Sequence, residues 1–197
     1  MTKTEKLADL VELRNGYLSI AEAQNLNISR TYIREYLAAN DFERVARGLY
    51  KSPDVWTDNL YIMALKNEKM VYSFDTALML NGLTEREPTE IFVTVTRAYN
   101  ASHLRCDGII VNYVRDEWLN LGRTTAKTTF GNEVPVYDME RTLCDIVRVK
   151  DKKDPQMFAY AIKEYAKSSN KNLPRLMKYA KEFGVEAELR RYMDVLL

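Results

Sequence analysis

Histidine and cysteine are nearly absent: one histidine, His103, and two cysteines, Cys106 and Cys144, occur among 197 residues. The cysteines are far apart and form no Cys-x-x-Cys. That excludes an ordinary structural zinc site and leads us to expect no metal, no cofactor and reduced thiols in a cytoplasmic protein. Cys144, inside the apolar run Leu143-Cys144-Asp145-Ile146-Val147, reads as a small core residue. No apolar run approaches the roughly 18 residues of a membrane span. The polar, amphipathic start Met1-Thr2-Lys3-Thr4-Glu5-Lys6 is not expected to be a signal peptide. Net charge is missing too. Lysine and arginine number 29 against 28 acidic residues, a formal +1, so any nucleic-acid surface must come from local arrangement. There is no phosphate-cradling glycine loop, no nucleophile elbow and no histidine base beyond His103, which sits in the polar stretch Asn100-Ala101-Ser102-His103 and is expected in a loop. No catalytic residue is expected.

Order is what the sequence does have, and it is clearest from Ser19 to Lys51. Leu7, Leu10, Val11 and Leu13 recur at helical spacing ahead of an Asn15-Gly16 stop. Ser19, with Glu22 three residues on, is a capping box for a short helix whose inward side is Ile20, Ala23 and Leu26. Asn27-Ile28 is a turn, and Ser29 caps a further helix. There Ile33, Tyr36 and Leu37 face inward, while Arg30, Thr31 and Arg34 fall on the opposite side. Phe42 to Ala46 and Leu49 to Lys51 alternate apolar and polar residues about Arg47-Gly48, as a hairpin does. Phe42, Val45, Leu49 and Tyr50 would fasten it, with Arg44, Arg47 and Lys51 pointing outward. From Arg30 to Lys51, five residues are basic and three acidic. This is the plan of a winged helix-turn-helix: Ser29, Arg30, Thr31 and Arg34 at the major groove, Arg44, Arg47 and Lys51 on the flanking backbone.

The expected class is α+β: a winged helix-turn-helix over residues 1–53, then a mixed α/β domain over 54–197 with a small sheet and a helical C-terminus. Helices are expected over Val55–Lys66 and Ser73–Asn81, and strands over Glu90–Thr96 and Gly108–Val114. A hairpin is expected about Gly131-Asn132, then a helix over Arg141–Val149. Asp154-Pro155 opens a helical last third with the stripe Phe158, Ala161, Ile162 and Tyr165, then helices over Leu173–Phe183 and Val185–Leu197. Lys167, Lys171, Arg175, Lys178 and Lys181 read as a solvated face in preference to a second phosphate-contacting surface.

Asp138, Glu140 and Asp145 crowd into eight residues, as in a metal-dependent nuclease targeted by its winged helix. Capping accounts for them better: Asp138 at the N-cap, Arg141 pairing with Asp138 or Asp145, Leu143 and Ile146 buried. A third reading is a protein-interaction module whose basic face only solubilises it.

Several segments occur together in a telling order. They are Arg44-Val45-Ala46-Arg47-Gly48-Leu49-Tyr50, then Ser73 and Ala77-Leu78 leading to Asn81-Gly82-Leu83, then Pro88 and the strand Ile91–Thr96, and finally Glu140-Arg141-Thr142-Leu143-Cys144-Asp145. In order and spacing they resemble the AbiEi family, the antitoxins and transcriptional regulators of bacterial AbiE abortive-infection toxin–antitoxin systems, over nearly the whole chain. The resemblance implies an autorepressor that binds inverted repeats of double-stranded DNA in its own promoter, self-associating on the DNA. It also implies an antitoxin against a nucleotidyltransferase-like toxin, of the type IV kind that needs no stable complex. DNA binding would lie in residues 1–53 and antitoxicity in 54–197, with Arg141 and Asp145 the positions to which the family motif points.

Overall fold

The computed structural model describes residues 1–149 and 154–196. The chain divides into two compact units, Met1–Lys66 with Thr128–Asn132, and Asn67–Lys127 with Glu133–Leu197. Leu197, at which the expected last helix ends, lies outside the described residues.

The first unit runs α1 (Lys3–Leu13), β1 (Tyr17–Ser19), α2 (Ile20–Asn25), α3 (Arg30–Ala39), β2 (Glu43–Ala46), β3 (Leu49–Lys51) and α4 (Asn59–Lys66). Thr2 and Glu5 close a reciprocal capping box on α1. Strand β1 was not expected. It pairs antiparallel with β3, which pairs with β2, giving the order β1-β3-β2. Three residues are too few for periodicity to reveal a strand, and only partners some thirty positions on supply its hydrogen bonds. Leu7, Leu18, Ile20, Ala23, Ile28, Ile33 and Leu37 form the core, with Phe42 and Tyr50 packed against it. Leu26 is not part of it; expected inward, it is exposed at the helix end.

Helix α4 starts later than its hydrophobic stripe suggests. Buried Asp58 accepts the Tyr61 amide at 3.1 Å and so caps the helix. Its other oxygen accepts Thr128 Oγ1 at 2.5 Å and Asn132 Nδ2 at 2.8 Å. Residues seventy positions away thus complete the first unit. Asp58→Ala would leave these donors buried without an acceptor, at a cost of roughly 3 kcal/mol. Urea unfolding should register that loss, and amide exchange at Tyr61 should accelerate. Unchanged exchange at Tyr61 would count against Asp58 as the cap.

The second unit contains β4 (Val71–Tyr72), α5 (Phe74–Leu80), β5 (Phe92–Thr96), α6 (Ser102–Cys106), β6 (Ile110–Val114), α7 (Asp116–Leu119), β7 (Arg123–Lys127), β8 (Glu133–Tyr137), α8 (Met139–Arg148), α9 (Pro155–Lys167), α10 (Leu173–Glu182) and α11 (Glu186–Leu196). Its sheet has the order β6-β5-β4-β8-β7. β5 with β6 and β4 with β8 are parallel; the other pairs are antiparallel. The expected hairpin about Gly131-Asn132 exists, with Arg123–Lys127 and Glu133–Tyr137 as its strands. His103 is helical, not in a loop, and its Nε2 lies 2.8 Å from Asn67 Oδ1.

Helix α8 is the centre of this unit. Every residue from Glu140 to Val147 is buried, and α5, α9, α10 and α11 all contact the helix. The expected stripe Phe158, Ala161, Ile162 and Tyr165 joins Leu143, Cys144, Ile146, Leu176 and Leu189 in one core. The chain is therefore α+β, with small sheets and a helical C-terminus.

Candidate nucleic-acid interface and buried charge network

Helix α3 is held by Ile33 and Leu37, both buried, and by Tyr32 on its flank. Tyr32 Oη lies 2.7 Å from Thr4 Oγ1, and Lys3 Nζ stands 5.5 Å from the Tyr32 ring centroid. That anchoring against α1 leaves Ser29, Arg30, Thr31 and Arg34 exposed together on the first turns. Ser29 Oγ accepts the Tyr32 amide at 3.3 Å, so it is the cap. Arg30 and Arg34 pair with no side chain among the described residues, and their guanidinium groups are free to meet an external anion.

In the β2–β3 hairpin Arg44 and Arg47 are exposed, while Leu49 is buried and Val45 and Tyr50 are half-buried. Arg44 Nε donates to Ala46 O at 3.3 Å, which curls its stem along the strand. Lys51 departs from expectation. Instead of pointing outward it is 6% exposed. Its Nζ donates to Val55 O at 3.1 Å and pairs with Glu43 at 2.8 Å. The cause is register: Lys51 stands opposite both Tyr17 and Glu43, in the middle strand of three, where β1 covers it. Alternation along the hairpin alone could not show that cover.

The second cluster surrounds α8. Arg141 is completely buried and Asp145 3% exposed. Arg141 Nε donates to Asp145 Oδ2 at 2.8 Å; Nη1 donates to Trp118 O at 2.8 Å and Leu121 O at 2.9 Å. Its guanidinium lies 4.2 Å from the Tyr137 ring centroid and 4.3 Å from that of Phe183. Nη2 has no hydrogen-bond acceptor, and the two ring faces compensate in part. Gly122 makes this fit possible. A Cβ there would come within 2.5 Å of Arg141 Cβ, and the backbone φ of +76° is one that L side chains rarely adopt, so only glycine fits.

Asp138 caps α8 by accepting the Arg141 amide at 2.7 Å. Glu140, 1% exposed, accepts Tyr165 Oη at 3.0 Å and the Asn172 amide at 2.8 Å. Arg175 approaches Asp138 at 3.6 Å and Glu140 at 3.7 Å. Each of the three carboxylates that suggested a nuclease is thus committed to holding the fold. Among the described residues, no group of three or more His, Cys, Asp or Glu is placed to hold a metal ion. Sequence reading foresaw the Asp138 cap and the Arg141–Asp145 pair. It missed Trp118, Tyr165, Asn172, Arg175 and Phe183, which reach the helix from distant elements and carry no local signal.

Burial pushes the Asp138 carboxyl up to about 6, and the nearby Glu140 charge adds to that, against the pull of the Arg141 amide, Arg175 and Tyr179. An acid raised in this way takes up a proton on folding. Its stabilising contribution is full below the ordinary value of 3.8 and is lost as the pH rises through about 6. Asp138→Asn retains a capping oxygen but cannot titrate. The stability of wild type relative to this variant should therefore fall between pH 4 and 6 in urea titrations. A constant difference across that window would disprove the shift.

Comparison with known proteins adds a decisive observation for the first unit. Residues 5–53 match the family described as transcriptional regulator, AbiEi antitoxin. That segment, about a quarter of the chain, is similar to this family. It spans α1 through the β2–β3 hairpin, and the match supports a regulator and antitoxin role. The whole architecture also has a counterpart. The crystal structure of the RV2827C protein from Mycobacterium tuberculosis aligns with a TM-score of 0.53 at 11% identity, over 95% of this chain and 79% of that one. At that identity the likeness is one of fold alone. A search of curated proteins finds no match. No helix among the described residues is long and apolar enough to cross a membrane.

Proposed function

We propose that the chain is the antitoxin and transcriptional autorepressor of a bacterial toxin–antitoxin operon. Its first unit acts as a winged helix-turn-helix on inverted repeats in its own promoter, and residues 54–197 counter a nucleotidyltransferase-like toxin. The observation that carries this reading is the AbiEi match over the segment that exposes Ser29, Arg30, Thr31 and Arg34 on α3. Element order supports it as well: helix, strand, two helices and a hairpin, with Arg44 and Arg47 on the hairpin. Arg30, Thr31 and Arg34 read base edges from the first turns of α3, Ser29 helps seat a phosphate at the helix start, and Arg44 and Arg47 hold the backbone. One such unit spans few base pairs, so useful specificity needs two copies meeting on a repeated site. Arg141 and Asp145 contribute to antitoxicity by fixing α8, since neither side chain reaches the surface. The test is a gel-shift titration on the chain's own upstream DNA at two salt concentrations, paired with growth rescue under toxin co-expression. Failure to shift that DNA specifically would remove the repressor half; failure to rescue would remove the antitoxin half.

A further inference from the structure

The sheet and helices of the second unit enclose a pocket of about 200 Å³. Its floor is Thr94 on β5 and Asn112 on β6, which stand opposite each other in the parallel register. Thr94 is 1% exposed, yet its hydroxyl has no hydrogen-bond partner among the described residues. Alternation puts that side chain on the same face as Phe92, whose ring centroid lies 6.2 Å from that of Phe74, a wall of the pocket. The hydroxyl therefore points into the pocket. Asn112 Nδ2 donates to Val93 O at a long 3.5 Å, so most of its amide is open. Val114, Val149 and exposed Tyr113 complete the lining on its less polar side. Burying a hydroxyl without a partner costs free energy, and a ligand that accepts from it removes that cost.

The charged residues of the lining are Asp145 and Arg148. Asp145 is 3% exposed, and its carboxylate is already matched: Arg141 Nε donates to Oδ2 at 2.8 Å, and Arg148 Nη1 approaches Oδ1 at 3.5 Å. Two guanidinium groups against one carboxylate leave a local charge of +1. Arg148 is exposed at the mouth, with its guanidinium 5.6 Å from the Trp118 ring centroid and 5.3 Å from that of Phe183. Its contact with Asp145 is long, and its other N–H groups are open to a better acceptor. An ammonium group would meet the wrong sign, a dianion would exceed the single positive charge, and a neutral amide would leave that charge unmatched. We propose that this pocket binds a small monocarboxylate. Its carboxylate accepts from Thr94 Oγ1, Asn112 Nδ2 and Arg148, and its apolar body lies against Phe74 and the two valines. The site is independent of the antitoxin reading and involves no contact with the toxin.

The test is an amide NMR titration of the isotope-labelled full-length chain with benzoate and with its neutral isostere benzamide, sodium chloride of equal ionic strength serving as control. A ligand of about nine heavy atoms is expected to bind with a dissociation constant of about 1 mM. Benzoate should move the signals of Thr94, Asn112 and Val149 to saturation, and benzamide should bind at least about tenfold more weakly. Thr94→Val removes the hydroxyl at nearly equal volume. It should weaken benzoate about tenfold and leave the chain at least as stable as wild type, because the hydroxyl has no internal partner to lose. Arg148→Gln should bring benzoate level with benzamide; if that variant unfolds, Thr94→Val decides alone. Equal binding of benzamide and benzoate by the wild type would overturn the carboxylate assignment. Signals that follow sodium chloride equally, fail to saturate, or respond unchanged in Thr94→Val would overturn the site itself.

Discussion

Arg141→Ala should cost the second unit roughly 3–5 kcal/mol, the range for removing one partner of a buried ion pair. The reason lies in what remains. Asp145, 3% exposed, would keep only Arg148 at 3.5 Å as a cation. The carbonyls of Trp118 and Leu121 would lose their donors, and the space between Tyr137 and Phe183 would stand empty. A loss of that size is a large part of the whole stability of a domain. Differential scanning calorimetry should show the second unit melting many degrees lower, or no cooperative transition for it. Arg141→Met/Asp145→Leu separates charge from packing. Replacing a buried pair by apolar groups of similar volume is often nearly neutral, so this double variant should recover much of the loss. If it is no more stable than Arg141→Ala, packing around the guanidinium matters more than the unpaired carboxylate. If it is stable and yet fails to rescue cells from the toxin, the pair has a role beyond fixing α8.

The same helix shows how far the sequence could be read. Leu143, Cys144 and Ile146 announced a buried stripe, and Asp138 announced a cap; both follow from local rules acting within one or two turns. Nothing local announced that Glu140 and Arg141 would be buried as deeply as Leu143. A charged residue in a helix reads as its solvent face, and only Tyr165, Asn172 and Trp118, supplied by other elements, make burial affordable. Strands β1 and β4 escaped notice for a related reason. With three and two residues, they exist only because partners lie beside them. The placement of Lys51 follows directly from missing β1: hairpin alternation sends it outward, and a third strand covers it. By contrast, the face of α3 was legible in full, because two buried residues four apart fix the orientation of a ten-residue helix.

Arg30→Ala/Arg34→Ala/Arg47→Ala should abolish the specific operator shift while leaving the fold intact. All three side chains are exposed and none has a partner among the described residues, so their loss removes no internal contact. Direct base contacts contribute about 1–3 kcal/mol each to discrimination. Two such losses per copy amount to at least about thirtyfold in affinity, and to more where two copies share a site. Each phosphate contact removed should also lower the slope of log affinity against log salt by about 0.9. Lys51→Ala provides the contrast. Because Lys51 is turned inward to Val55 O and Glu43, its removal should lower the melting temperature and leave the salt slope unchanged. A salt slope that falls with Lys51→Ala but not with the triple variant would place the DNA face elsewhere than on α3 and the hairpin. An unaltered shift with the triple variant would mean that the exposed arginines serve solubility, and that the first unit meets its partner through other residues.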